Sequence, residues 1–184
     1  RLAKTDLFAE LDETVFTFRE RALRDGIEVK YSIPEVPAIA NADANRLKQV
    51  FMNILDNALK YSRSPSKIFV KAEFTKLDNQ NFVKIAIADQ GCGISKEDLP
   101  HVKEKFYKAN VSVRGSGIGL AVTNEIVNLH HGKLEIDSQE GKGTLVTIYL
   151  PVENSPTKNE LNDMKQNETV QDAEINEGVE INKN

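Results

Sequence analysis

Cysteine is nearly absent from this sequence, which has a single one, Cys92, and no tryptophan. One cysteine excludes an internal disulfide and any metal site built from several cysteines, and it favours a reducing compartment such as the cytoplasm. Long apolar runs are also lacking, because even LVTIYL at 145–150 is far shorter than the roughly 18 residues of a membrane-spanning helix. The sequence therefore predicts no spanning segment and no signal peptide.

A strongly basic surface is missing too. The 184 residues include 24 Lys and Arg against 28 Asp and Glu, and eight acids with only three lysines follow residue 152. The preceding part of the chain is therefore close to neutral. Because nucleic-acid binding usually depends on a basic face, we expect no nucleic-acid partner.

The composition divides the chain at residue 151. With 40% hydrophobic and 28% charged residues overall, residues 1–151 are predicted to form one globular domain with its own core. Residues 152–184 have no aromatic residue and few large aliphatic ones. Such a segment buries too little apolar surface to offset its ordering entropy, so we predict an acidic, disordered tail. A transient helix or partner-binding segment is the alternative. The chain begins with Arg1 rather than Met, and we expect it to belong to a longer protein.

Hydrophobic periodicity predicts three helices and six strands. The helices cover residues 6–25, 44–62 and 118–131, with Gly26 and Gly132 as stops and Asp43 as an N-cap. A shorter helix interrupted by proline is predicted within 95–106. Alternating apolar residues predict strands at 27–33, 38–42, 67–74, 82–89, 133–138 and 143–150. The third and fourth strands form one hairpin, and the last two form another.

The helix over 44–62 has an unusual polar edge. Its apolar side chains share one broad face, whereas Arg46, Asn53, Asn57 and Lys60 lie in a band of about 60° beside that face. A solvated boundary is the simple interpretation. Asparagine, however, is a mediocre helix former, its amide oxygen suits Mg²⁺, and a lysine one turn away suits phosphates. This edge is therefore a candidate metal and phosphate site.

Two glycine-rich segments add to this candidate site. DQGCG at 89–93 follows a predicted strand and, taken alone, is explained equally well by a plain turn. GSGIG at 115–119 opens the third helix, where backbone N–H groups and the helix dipole favour phosphate oxygens. Its spacing is not that of a dinucleotide-binding fingerprint.

Together, these motifs resemble the nucleotide-binding boxes of the GHKL ATPase superfamily, and within it the catalytic ATP-binding domain of bacterial sensor histidine kinases. The motifs are NILDNALKYS at 53–62, DQGCGIS at 89–95, KFYKAN at 105–110, GSGIGLAV at 115–122 and a closing hairpin at 130–151. The resemblance covers about residues 6–151. It implies an α/β two-layer sandwich, a mixed and mostly antiparallel sheet with three helices on one face, known as the Bergerat-type ATP-binding fold.

The resemblance also implies residue roles with ATP and Mg²⁺ as cofactors. Asn57 takes the Mg²⁺-ligand position, Lys60 reaches the phosphates, and Asp89 accepts a hydrogen bond from the adenine amine, where guanine would present an oxygen. The implied catalytic residues are Asn53, Asn57 and Lys60. The other implied ATP-binding residues are Tyr61, Gly91, Gly93, Ile94, Phe106, Lys108, Gly115, Ser116, Gly117, Ile118, Gly119, Leu120 and Thr144. The lid at 109–114 is expected to move when no ligand is bound.

Asn53 separates the branches of this superfamily. Hydrolytic relatives place a glutamate there as the general base for water, and an amide cannot accept that proton at neutral pH. The resemblance therefore implies a protein-histidine kinase of a two-component system rather than an ATPase. A nucleotide-binding or degenerate kinase module that signals by ATP-dependent docking is the alternative, and a GHKL ATPase is the less favoured one.

The phosphoacceptor histidine is expected outside this chain. In the family it lies in an H-[DE]-x-x-x-P setting, and His101, His130 and His131 do not match that pattern. The last two instead occupy a helix end, where a structural or capping role is predicted. The implied partners are a dimerisation domain that bears the acceptor, and a response regulator. The full-length protein is expected to be a membrane-anchored homodimer with this domain in the cytoplasm.

Overall fold

A computed structural model describes residues 1–105, 107–108 and 119–180 of the chain. Its elements in order are β1 (Ala3–Asp6), α1 (Leu7–Arg24), β2 (Ile27–Ser32), β3 (Ile39–Ala42), α2 (Ala44–Tyr61), β4 (Ser66–Leu77), β5 (Gln80–Asp89), a 3₁₀ turn (Leu99–His101), α3 (Gly119–Leu129), β6 (Lys133–Gln139), β7 (Gly143–Pro151), α4 (Lys158–Gln166) and α5 (Val170–Glu180). Across these ranges, every helix is too short or too polar to span a bilayer.

Five strands form the main sheet in the order β2-β4-β5-β7-β6. β2 and β4 are parallel, and the other pairs are antiparallel. The connection from β2 to β4 contains α2, as a parallel pair requires a long crossover. The two predicted hairpins, β4–β5 and β6–β7, meet along β5 and β7, where Asp89 is paired with Thr144. The predicted mixed, mostly antiparallel sheet is confirmed.

The helix layer covers the inner face of this sheet. Asp6 caps α1 by accepting the N–H of Phe8 at 3.1 Å, and Asp43 caps α2 by accepting the N–H of Arg46 at 3.2 Å. Apolar side chains of α1, α2 and α3 share one buried cluster with the inward-facing residues of the strands. The largest helix side chains that are fully buried are Leu7, Leu11, Phe18, Leu47, Phe51, Ile54 and Leu55. The predicted layer of three helices on one face is therefore confirmed.

Three local expectations differ from the structure. β1 was not predicted; it pairs with β3 in a separate two-stranded sheet. The predicted helix within 95–106 is reduced to the 3₁₀ turn, with Pro100 in its first turn. At the end of α3 the left-handed residue is His131, with φ of 58°, and Gly132 follows it rather than providing the stop itself.

The C-terminal segment is the largest difference. α4 begins with a capping box formed by Thr157 and Glu160, and α5 lies against the outer face of the sheet. Ile175 and Val179 of α5 are buried there, and burying an aliphatic side chain of this kind contributes about 1.5–3 kcal/mol. The prediction of disorder is therefore wrong for these two helices, and for α5 the reason is the apolar surface of the sheet, against which it packs. The division of the chain at residue 151 stays a prediction.

Candidate functional site

A cavity of about 440 Å³ lies between α2 and the ends of the central strands, with the start of α3 at its rim. This is within the usual range for small-molecule sites. The predicted site residues that line it are Asn53, Asn57, Lys60, Tyr61, Asp89, Gly93, Ile94, Lys108, Gly119, Leu120 and Thr144. The structure therefore brings together residues that are up to 91 positions apart in the sequence.

At one end of the cavity, Asp89 is a buried carboxylate. It ends β5, is 7% exposed, and its Oδ1 accepts the backbone N–H groups of Gly91 at 2.9 Å and Thr144 at 3.3 Å. Burial raises the pKa of Asp89 to about 6, although the two backbone hydrogen bonds act in the opposite direction. A carboxylate held in such a poorly solvated wall is suited to accept a hydrogen bond from a ligand.

The loop after Asp89 is packed too tightly for ordinary side chains. Gly93 has φ of +68°, and a Cβ on it would lie 2.1 Å from the carbonyl oxygen of Gln139. The N–H of Cys92 donates to the carbonyl of Tyr61 at 3.2 Å, and its own carbonyl accepts the N–H of Gly141 at 2.7 Å. The loop is thus fixed between the end of α2 and the β6–β7 turn. Gly91 does not line the cavity and contributes through its hydrogen bond to Asp89.

Ser138 is a supporting residue that the sequence analysis missed. Its buried hydroxyl accepts the N–H of Ile94 at 2.8 Å, donates to the carbonyl of Gly143 at 2.8 Å, and lies 2.8 Å from Thr144 Oγ1. One hydroxyl therefore connects the glycine loop to both strands of the closing hairpin. The available signal was a polar residue at an inward position of the alternating strand KLEIDS.

At the other end of the cavity, α2 contributes side chains rather than backbone. Asn53 and Asn57 are half-buried and Lys60 is exposed. Asn53 Nδ2 donates to the buried hydroxyl of Thr123 at 3.4 Å, which orients this amide toward α3. Asp56, which was not predicted, also lines the cavity and pairs with Arg21 of α1.

The donor set at this end fits Mg²⁺ rather than a metal caged by the protein. Over residues 1–105, 107–108 and 119–180, no group of three or more His, Cys, Asp or Glu side chains is placed to hold a metal. Mg²⁺ commonly takes one or two protein oxygens and completes its shell with water and substrate phosphates. Asn57 offers such an oxygen inside the cavity.

The cavity is also lined by Ser95, Asp98 and Tyr107, which were not among the predicted site residues. Tyr107 donates its hydroxyl proton to Asp98, whose Oδ2 also accepts the hydroxyl of Ser95 at 2.8 Å. These contacts lower the pKa of Asp98, with the Tyr107 hydrogen bond as the main cause. The predicted residues Phe106, Gly115, Ser116, Gly117 and Ile118 lie outside the described residues, as does the lid at 109–114.

The inner wall was only partly indicated by the motifs. Ile87 and Val146 line it together with Ile136. The first two lie two residues from Asp89 and Thr144 on their strands and so point to the same side of the sheet. Strand alternation could have identified them once those two residues had been assigned.

His130 connects the two helices that border the site. Its Nδ1 lies 2.8 Å from the carbonyl of Ile126, and its Nε2 accepts the N–H of Asp43 at 3.1 Å. The ring thereby holds the end of α3 against the start of α2. This is the structural role expected from its position at a helix end.

The fold and the cavity define an ATP-binding domain. Residues 42–154, more than half of the chain, match the family described as "Histidine kinase-, DNA gyrase B-, and HSP90-like ATPase". The chain belongs to this family. The resemblance drawn from the nucleotide-binding boxes is confirmed.

The chain's matches include a curated sensor histidine kinase and the solved structure of another. The chain is 34% identical over 151 residues to the non-motile and phage-resistance protein of Caulobacter vibrioides, covering 80% of this chain and 18% of that protein. It is 33% identical over 129 residues to the sensor histidine kinase WalK of Bacillus subtilis, covering 68% of this chain and 21% of that protein. The solved structure of the mycobacterial sensor histidine kinase MprB superposes with a TM-score of 0.67 at 28% identity, covering 83% of this chain and all of that one. The chain spans about a fifth of the length of these curated relatives.

Proposed function

We propose that the chain is the catalytic domain of a two-component sensor histidine kinase. It binds ATP with Mg²⁺ and transfers the γ-phosphoryl group to a histidine on a dimerisation domain outside this chain. The observation that carries the proposal is one cavity with a buried carboxylate, Asp89, at one end and the polar edge of α2 at the other. The first suits a base that presents an amine, and the second suits a charged phosphate chain with its metal.

At the adenine end, recognition depends on the negative charge of Asp89 and on whether the base presents a proton to it. The carboxylate of Asp89 accepts a hydrogen bond from the exocyclic amine of adenine and repels the oxygen that guanine presents there. Tyr61 and Ile94 line the cavity as walls for the base. The N–H groups of Gly91 and Thr144 hold the carboxylate in place. The selected base is therefore adenine.

At the phosphate end, catalysis consists of positioning and charge neutralisation. Asn57 is the protein ligand for Mg²⁺, which supplies charge neutralisation on the phosphates when bound. Lys60 and Lys108 line the cavity and offer their ammonium groups to the phosphate oxygens. Gly119 and Leu120 line the cavity, so the N-terminus of α3 and its helix dipole lie beside it.

Asn53 favours phosphoryl transfer over hydrolysis. Its amide cannot remove a proton from water at neutral pH, and it is oriented by its contact with Thr123. An imidazole nucleophile carries its own lone pair and needs no general base on α2. The acceptor histidine therefore reacts where water does not.

We further infer that the full-length protein is a membrane-anchored homodimer that presents this domain to the cytoplasm and passes its phosphoryl group to an aspartate on a response regulator. The likeness to a sensor histidine kinase about five times longer than the matched segment supports a longer protein of the same kind. Sequencing upstream of Arg1 tests it. A spanning helix and an H-[DE]-x-x-x-P helix are the expected result, and their absence contradicts it.

A phosphotransfer assay tests the kinase assignment directly. The chain is incubated with γ-labelled ATP, Mg²⁺ and a separately produced acceptor-helix domain from a related sensor kinase, and the position of the label is determined. Label on the acceptor histidine, absent when that histidine is replaced by glutamine, is the expected result. Label released as free phosphate would indicate an ATPase. Bound ATP without any transfer would indicate a nucleotide-dependent docking module.

A further inference from the structure

The outer face of the sheet is covered by a helix from the chain's own C-terminal segment. Ile175 and Val179 of α5 pack on an apolar patch that consists of Phe69, Ala86, Ala88 and Leu145. Ile175 is fully buried and Val179 is 5% exposed. The contact is therefore well packed, although it depends on few side chains.

This patch lies directly behind the nucleotide site. In β5, Ala88 faces α5 while the next residue, Asp89, lines the cavity; in β7, Leu145 and Thr144 are divided in the same way. Ala88 is paired with Leu145, and Asp89 with Thr144, in adjacent positions of one ladder. Because neighbouring residues of a strand point to opposite faces, a shift of this strand pair moves both surfaces together.

A polar contact also connects α5 with the loop of the site. Glu174 Oε1 lies 2.5 Å from Lys67 Nζ. The backbone N–H of Lys67 donates to the side-chain oxygen of Gln90 at 2.9 Å. Gln90 is the residue that follows Asp89, so this chain of contacts leads from α5 to the start of the glycine loop.

The helix itself is poorly suited to exist without the sheet. It has 11 residues, and isolated helices of that length are marginal in water. Gly178 weakens it further, because glycine is a poor helix former. That glycine lies over the ring of Phe69, where a Cβ would come within 2.4 Å of the ring carbon Cδ2. Glycine at this position therefore allows α5 to dock closely on the sheet, although it lowers the stability of the helix.

We propose that α5 is a positioning element of the nucleotide site. When docked, it holds the strand ends that carry Asp89 and Thr144 in the geometry that binds adenine, and bound adenine in turn holds α5 on the sheet. This inference rests on the proposed function, since it takes the Asp89 end as the adenine site. The coupling is reciprocal, so both effects have the same magnitude.

A matched pair of variants of the full chain tests the proposal. Ile175→Asp places a charge in the buried contact, whereas Val170→Asp places the same charge on the same helix at a side chain that is 90% exposed. Adenosine and ATP affinities are measured by calorimetry, and thermal unfolding reports on the fold. We expect Ile175→Asp to weaken adenosine binding about fivefold or more. Val170→Asp and the conservative Ile175→Leu should bind like wild type.

Hydrogen exchange of the α5 amides measures the reciprocal effect. In the wild type, saturating adenosine should slow exchange over residues 170–180 by the same factor by which Ile175→Asp weakens binding. Free exchange of α5 in Ile175→Asp together with unchanged adenosine affinity would overturn the proposal and leave the proposed function intact. If the wild type binds no adenine nucleotide, the proposed function itself fails.

Gly178→Ala provides a milder second variant in case the charged one does not fold. Alanine raises the helix propensity of α5 but places a methyl group against Phe69. If docking is what matters, adenosine affinity falls by about twofold or more although α5 is the better helix. Equal or higher affinity would overturn the proposed role of α5.

Discussion

The two ends of the cavity are formed by different kinds of groups. At the strand ends, the wall consists of a buried carboxylate, Asp89, fixed by backbone N–H groups from two separate segments. Along α2, it consists of side chains, of which Asn57 is half-buried and Lys60 is exposed. The proposed adenine end is therefore formed before a ligand arrives, whereas the proposed phosphate end retains rotamer freedom that binding must restrict.

This difference indicates that the two ends of the cavity have different roles in ligand recognition. A preformed carboxylate discriminates between bases with little ordering entropy, which is what selectivity requires. Side chains with rotamer freedom can adjust to a phosphate chain and its metal as they bind, at a cost in ordering entropy. Substitutions at the proposed adenine end should thus change both the stability of the fold and the selectivity for the base. Substitutions along α2 should change only phosphate and metal recognition.

The largest effect is expected for Gly93→Ala. The substitution strains a residue at φ of +68° and places a Cβ 2.1 Å from the carbonyl oxygen of Gln139, so the free energy of unfolding should fall by about 3 kcal/mol. Adenosine binding should be lost. Gly141→Ala is the matched control: it has a similar φ of +80° but open space around it, and it should cost only about 1 kcal/mol. Equal losses in denaturant titrations would refute the close-packing argument.

Asp89→Asn should have the next largest effect. Replacing the carboxylate with an amide removes a charged acceptor, and adenosine affinity should fall by about 1.5–3 kcal/mol, or roughly 10- to 100-fold. Preference over guanosine should disappear at the same time. Calorimetry with both nucleosides provides the measurement, and unchanged adenosine affinity would mean that the base is recognised elsewhere.

The raised pKa of Asp89 predicts a pH dependence of stability and of binding. The pKa is about 6 in the folded chain against an ordinary value of 3.8, so between these values the folded state holds the proton and the unfolded state does not. The contribution of Asp89 to the free energy of unfolding is therefore full below about pH 4. It declines by about 3 kcal/mol as the pH rises through 6. The Asp89→Asn variant should lack this slope in unfolding titrations from pH 4 to 7.

The affinity for adenosine should change with pH in the direction opposite to that of the stability. Adenosine, which has no phosphate to titrate, needs the ionised carboxylate, so its affinity should rise about tenfold between pH 5 and pH 7. The same titration with Asp89→Asn should be flat. A slope that survives the substitution would assign the pH dependence to another group.

Asn57→Ala should produce the smallest effect on nucleoside recognition. Adenosine affinity should remain that of the wild type, because Asn57 lies at the other end of the cavity. ATP affinity should lose most of its Mg²⁺ dependence, with a decrease of about tenfold at saturating Mg²⁺. Gln49→Ala, on the same helix outside the cavity lining, serves as the control. A retained Mg²⁺ dependence would place the metal elsewhere.

Much of the fold was predictable because its signals are local. The helices α1 and α2 follow from apolar periodicity and capping aspartates, and both hairpins follow from alternation around short turns. Asp89 and the edge of α2 were identified as parts of motifs. The roles of all the site residues stay predictions, and Phe106 and residues 115–118 lie outside the described residues.

The parts that could not be predicted depend on contacts distant in the sequence. Ser138 reads as an ordinary strand residue, and only the fold brings its hydroxyl against Ile94. α5 has too little hydrophobic content to indicate a buried helix, and its packing depends on Phe69, more than 100 positions away. The composition of a segment shows how much apolar surface it contains. It does not show which apolar surface elsewhere in the chain will pack against it.

The meeting of the two hairpins along β5 and β7 has a consequence for assembly. Each hairpin is local in sequence, yet Asp89 belongs to the first and Thr144 to the second, and the ladder between them joins residues more than 50 positions apart. Neither part of the chain contains the complete lining of the cavity, even if it folds. A chain cut between the hairpins would bind nucleotide only when its fragments associate, so ligand binding would report fragment complementation, and nucleotide would favour the reassembled pair.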